Sequence, residues 1–234
     1  MNKRIWELDA LRGLCVLGMV IVHFIFDLTE LYGIVRWQTP EWFAFLQSWG
    51  GVLFLLISGT CATFGSRSAR RGVMVLGFGL VISAATWVMF RFMGFHRAIL
   101  IYFGVLHCLG ACMILWPLFK KAPVWLLLLL AAAMVGLGLW FDGLTVAPKW
   151  LIPLGLTPRG FASSDYFPLL PHLGFFLMGA AFGKTFYRQK QSLFPNINEN
   201  APILRFLQWC GRSSLWIYLL HQPILSGICM LLMK

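Results

Sequence analysis

Arg12, His23, Asp27 and Glu30 stand inside the first apolar stretch, residues 7–33, and their spacing gives them one helix face. At ~100° per residue, Arg12, Met19, His23 and Glu30 fall within about 20° of one line, with Asp27 about 60° away. Ionisable groups inside a membrane-length apolar run are costly and mark a functional site by default. His23 and Asp27 are four residues apart, a spacing at which a carboxylate holds an imidazole in one tautomer and stabilises its cation. An imidazole so held takes a proton from a hydroxyl or an amine. The competing reading is structural: ion pairs between helices, with Asp27 at the outer interface bonding water or Arg36.

Other histidines reach a similar depth. His23 lies eleven residues beyond Arg12, roughly 16 Å at ~1.5 Å per residue. His221 lies about 12 Å into the last apolar run from the same side, and His107 about 14 Å into the fourth from the opposite side. All three reach the central zone of a ~30 Å hydrocarbon core. His172 stands nearer the outer end of its run. Between Trp49 and Thr60, Gly50, Gly51 and Gly59 permit close approach of a helix or a ligand beside Ser58. Arg67, Arg70 and Arg71 follow, suited to lipid phosphates or to a phosphorylated donor. In SSLWIYLLHQP, Pro223 frees a backbone carbonyl near Leu219, as a substrate-pocket kink or a packing kink would.

These residues need membrane helices to hold them. The 234-residue chain is 59% hydrophobic and 12% charged, with a mean hydropathy of +0.78; a soluble domain of this length cannot hide so much apolar surface. The expected fold is all-α: a polytopic transmembrane bundle of about seven spans, near residues 11–32, 42–64, 72–90, 98–119, 124–141, 166–186 and 213–233. A Pro/Gly-rich loop covers 142–165, and a short amphipathic piece covers 203–211. About thirteen of the 19 Lys and Arg, Lys3 among them, fall on the N-terminal side, and six, Lys234 among them, on the other. This bias predicts a cytoplasmic N-terminus. The net charge of +11 sits in short clusters between apolar runs, a topology pattern that speaks against nucleic-acid binding. The six Cys form no C-x-x-C pair, so neither a disulfide framework nor a metal site is expected. With no repeat and no long linker, residues 1–234 read as a single integral-membrane domain.

LDALRG, with Arg12 and His23 separated by ten intervening residues, then FLLISG and SSLWIYLLHQP, resemble the motifs of multi-span bacterial acyltransferases that modify surface polysaccharides. RIWELDALRG, YFGVLHCLG and DYFPLLPHLGFFLMGAAFG are closer still to short bacterial relatives of heparan-α-glucosaminide N-acetyltransferase. In the polysaccharide enzymes the motif's Arg and His are essential, which the resemblance places on Arg12 and His23. The lysosomal enzyme differs, with Asn at the place of His23 and its catalytic His in the loop after the first span, where this chain has none.

The resemblance implies a transmembrane acyltransferase of the bacterial cytoplasmic (inner) membrane. Acyl-CoA, taken as acetyl-CoA, enters from the cytoplasm, and no metal is expected. Donor-side residues are Arg12, Ser58, Arg67, Arg70, Arg71 and His107. The catalytic set is His23, Asp27 and His221. A saccharide or lipid-linked acceptor meets Trp49, His172, Asp165 and Tyr218, passing Trp150. Membrane lipids are partners, and a homo-oligomer stays open. The alternative is a proton-coupled transporter of a small solute, for which inverted repeats with paired broken helices are expected and are not seen. A structural membrane subunit is a third reading, and it predicts tolerance of changes at His23 and His221.

Overall fold

The computed structural model describes residues 4–37 and 40–233; Lys3 and Lys234, both counted in the charge bias, lie outside the described residues. The described chain is helical, with isolated bridges but no strand. In order, the α-helices are α1 (Trp6–Phe26), α2 (Glu41–Ala62), α3 (Ser68–Phe92), α4 (Val105–Phe119), α5 (Val124–Phe141), α6 (Leu169–Phe186), α7 (Pro202–Arg212) and α8 (Ser214–Leu232). α1 to α6 and α8 occupy the seven expected spans. Among the described residues five helices are long and apolar enough to cross a membrane: α1 with the turn after it, α2, α3, α5 and α8. α4 is apolar but shorter, at 15 residues. α7 is the amphipathic piece, with Ile203, Phe206 and Trp209 exposed and Cys210 buried.

The chain forms two compact units, Met1–Ile57 with Gln189–Lys234, and Ser58–Arg188. In the first unit α1 carries α7 and α8. The Gly of LDALRG, Gly13, has its missing Cβ position against the Leu207 carbonyl, and Gly211 of α7 faces the Asp9 carbonyl in the same way. Any side chain at either glycine would push the two backbones apart. α8 runs parallel to α1, since Arg12 meets Ser214 near the start of both helices and Asp27 meets Gln222 further along.

The second unit is built on antiparallel pairs. Gly72 and Gly110 bring α3 and α4 together, and Gly138 and Gly174 do so for α5 and α6. α4 also lies along α6, where fully buried Trp116 meets Phe176 edge-on at 6.3 Å. The last turn of α2 docks on α6 through the Thr60 hydroxyl, which donates to Gly179 O at 2.8 Å. Lys184 donates to the carbonyls of Lys120 and Ala122 at 2.8 and 2.6 Å, closing the turn between α4 and α5. One end of this unit thus carries Arg67, Arg70, Arg71, Lys120, Lys121 and Lys184. The other end carries Arg91, Arg97, Lys149 and Arg159.

Candidate active site

After Phe26 the first helix widens into a π turn, Asp27–Leu31, closed by Tyr32 N–H donating to Asp27 O at 2.9 Å. Such turns sit often at functional sites. The turn breaks the regular angular progression. It leaves Asp27 fully buried, whereas Glu30, which a uniform helix places on the Arg12–His23 line, is exposed.

The Asp27 carboxylate is held from α8. Gln222 Nε2 donates to both carboxylate oxygens at 2.9 Å. His23, one turn before Asp27, turns to His221, with ring centroids 4.9 Å apart and planes at 82°. The structure thus gathers His23, Asp27 and His221 on one side of α1, but the partner of Asp27 is Gln222 and not the His23 ring.

His221 is fixed in its tautomer. Its Nδ1 lies 2.6 Å from Tyr218 O. A carbonyl oxygen only accepts, so Nδ1 carries the proton and the neutral ring keeps its lone pair on Nε2. That Nε2 is buried and has no hydrogen-bond partner among the described residues, as do Gln222 Oε1 and Arg12 Nε. Each buried polar atom left without a partner costs about 1–3 kcal/mol. Three along the α1–α8 contact are a poor way to build stability and a good way to build a binding site. Arg12 Nη2 donates to Ser214 Oγ at 3.1 Å, and its guanidinium lies 5.8 Å from the Phe54 ring centre. Tyr218 is half-buried, its ring 5.5 Å from that of His221. Trp49 is exposed on α2 and stacks on Phe45.

The remaining sequence candidates belong to the second unit, where several serve the fold directly. His107 is buried near the start of α4. Gly104 N–H donates to its Nδ1 at 3.2 Å, which leaves the proton on Nε2 to donate to Ser83 Oγ at 3.2 Å, and Ser83 donates on to Ile101 O at 2.6 Å. Both ring nitrogens are thereby engaged, Nδ1 in capping α4 and Nε2 in tying it to α3. Asp165 Oδ2 accepts from Val105 N–H at 3.0 Å, a second cap on the same helix start. His172 Nδ1 donates to Pro168 O at 2.7 Å, with its ring against Phe167. Tyr166 donates to Ile152 O at 2.7 Å. Ser58 is half-buried on α2, Trp150 is exposed, and Arg67, Arg70 and Arg71 are exposed at the start of α3.

Sequence reasoning passed over Gln222 as the partner of Asp27 and Ser214 as that of Arg12. Ser214 and Gln222 are polar residues of the same apolar run, seven residues before and one residue after His221, and that is the signal the sequence offers.

Helices of bilayer length carrying an imidazole pair, with His221 buried and His23 half-buried, beside the buried Asp27 carboxylate define an integral membrane protein with a polar site on its spans. The model of the heparan-alpha-glucosaminide N-acetyltransferase catalytic domain matches residues 4–223, and the chain belongs to that family. Comparison with curated proteins and with solved structures gives no match.

Proposed function

We propose that the chain transfers an acetyl group from acetyl-CoA to the amine or hydroxyl of a saccharide, with the His23–His221 pair as its proton-handling centre. Family membership supports membrane acetyl transfer. The observation that carries the residue assignment is the buried, unpartnered Nε2 of His221, its tautomer set by the Tyr218 carbonyl.

The acceptor N–H or O–H points at His221 Nε2. As the acceptor heteroatom attacks the thioester carbonyl, its proton passes to Nε2. Collapse of the tetrahedral adduct breaks the C–S bond, and the proton moves from the imidazolium to the departing CoA thiolate, so the ring ends neutral. His23 packs edge-on against that ring and restricts its rotation. Asp27, tethered by Gln222, supplies the negative charge that favours the transient cation. Arg12, with Nε unspent, serves as an anion contact for the donor. The Lys/Arg bias supports a cytoplasmic N-terminus; in this reading acetyl-CoA comes from the cytoplasmic side of a bacterial inner membrane and the acceptor, free or lipid-linked, from the other.

The test is CoA thiol release by purified protein given acetyl-CoA and an amino sugar or its glycoside. Release that depends on both His23 and His221 supports the reading. Release unchanged in His23→Ala and His221→Ala, or no binding of CoA by the native protein, ends it.

A further inference from the structure

At the end of the second unit opposite Arg67–Arg71, three cations converge without an anion. Arg97, Lys149 and Arg159 line a small cavity of about 50 Å³ together with Tyr102 and Phe161. All three cations are exposed, and none of their side chains takes part in an ion pair or hydrogen bond among the described residues. The walls are firm. Phe161 packs edge-on against Tyr166 at 4.9 Å and lies 5.4 Å from Tyr102. Ser163 and Ser164 pin the same loop to Leu100 and Ile99. Like charges brought together at a fixed site repel, and an anion bound among them removes that cost.

A second, open cavity of about 630 Å³ adjoins the first and shares Arg97 and Tyr102 with it. It runs along α3 past Phe90, Trp87 and Ala84 to Ser83, with Leu100 and Ile101 opposite. Ser83 to Phe90 covers about 10 Å of helix rise. This groove lies on a membrane-spanning helix, and Trp87 on its wall is exposed. Phe92, Trp140 and Trp150, at the same end of the unit, are strongly exposed, as residues at a membrane interface are. Cationic mouth and apolar trough together match an amphiphile whose charge is at one end.

We propose that this cleft binds an anionic membrane lipid, its phosphate on Arg97, Lys149 and Arg159 and an acyl or prenyl chain along Trp87 and Phe90. The assignment does not depend on acetyl transfer. A free inorganic phosphate would use the mouth and leave the trough idle, and a zwitterionic lipid would gain little from three cations.

The test uses the full chain in phosphatidylcholine nanodiscs containing a small fraction of brominated-chain phosphatidate, or the same fraction of brominated-chain phosphatidylcholine, with tryptophan quenching as the readout. Phosphatidate is expected to quench more strongly and to saturate. Trp87→Phe is expected to remove that excess. Neutralising the mouth, with Arg97→Gln, Lys149→Gln and Arg159→Gln combined, is expected to weaken the preference at least about tenfold. Arg159→Gln alone gives a milder version if the triple variant fails to fold. Equal quenching by the two lipids, an excess that survives Trp87→Phe or the mouth variants, or abolition of the excess by millimolar inorganic phosphate would each overturn the proposal. None of these outcomes bears on whether acetyl-CoA is turned over.

Discussion

The imidazoles of His23 and His221 meet edge-on, centroids 4.9 Å apart, joining the first and last long helices of the chain. Because His221 Nδ1–H donates to Tyr218 O, its Nε2 is the ring atom with a free lone pair. His221→Ala is therefore expected to lower acetyl transfer by about 10²–10⁴-fold, the usual worth of a general base. His221→Gln can still donate to the Tyr218 carbonyl but cannot accept and release a proton at neutral pH, so it should lose as much. Rates of thiol release, alongside thermal unfolding to show that both variants fold, check this. A Gln variant with near-native turnover would assign the ring a packing role.

Asp27 and Gln222 give a stability prediction. The carboxylate has no solvent exposure, and its oxygens depend on the Gln222 amide. Gln222→Leu leaves that charge without its donor and should cost about 1.5–3 kcal/mol, as loss of a hydrogen bond to a charged group does. Asp27→Leu combined with Gln222→Leu removes both partners and should recover most of the loss. Unfolding midpoints of the two single variants and the double variant in detergent give the coupling directly. Additive effects would mean that the pair is not an energetic unit.

The spans and the histidine stripe were legible because lipid imposes them. Backbone in hydrocarbon must be helical, helices must be long and apolar, and any His or Asp inside one stands out against that background. The seven runs and the short amphipathic α7 accordingly fall where periodicity and charge put them. Partner choice was less legible. Asp27 turns to Gln222, 195 positions away in the chain, and nothing in the i, i+4 spacing of His23 and Asp27 announces that. The π turn hid for a related reason: a helical wheel assumes one pitch, and the change after Phe26 exchanges the burial of Asp27 and Glu30. His107 resembled a site residue because its partners, Ser83 on α3 and the Gly104 amide, become visible only once α3 and α4 are paired. In the mouth of the proposed lipid cleft, Arg97, Lys149 and Arg159 read as scattered loop charges until the fold of the second unit brings them together.

The crossing of α1 and α7 predicts a sharp contrast between neighbouring glycines. A Cβ at Gly13 would meet the Leu207 carbonyl, whereas one at Gly18 would meet nothing within 4 Å. Gly13→Ala is expected to destabilise by about 1–3 kcal/mol, the usual cost of overpacking. Gly18→Ala should be neutral or gain up to about 1 kcal/mol from helix propensity. Thermal unfolding of the two variants side by side measures the difference, and equal midpoints would show that the crossing is looser than the structure has it.

His107 offers the corresponding test in the second unit. Its ring lies against Gly79, whose missing Cβ position is 3.0 Å from the imidazole, and both nitrogens are engaged by Gly104 and Ser83. A residue spent on capping α4 has no lone pair left for a substrate. His107→Ala should therefore cost about 1–3 kcal/mol by stranding the Gly104 N–H and removing the donor to Ser83. Ser83→Ala, which leaves the Gly104 contact intact, should cost less, about 1 kcal/mol. In both variants the KM for acetyl-CoA per folded molecule should stay at the native value. A raised KM without loss of stability would move His107 from the frame of the helix to the donor site.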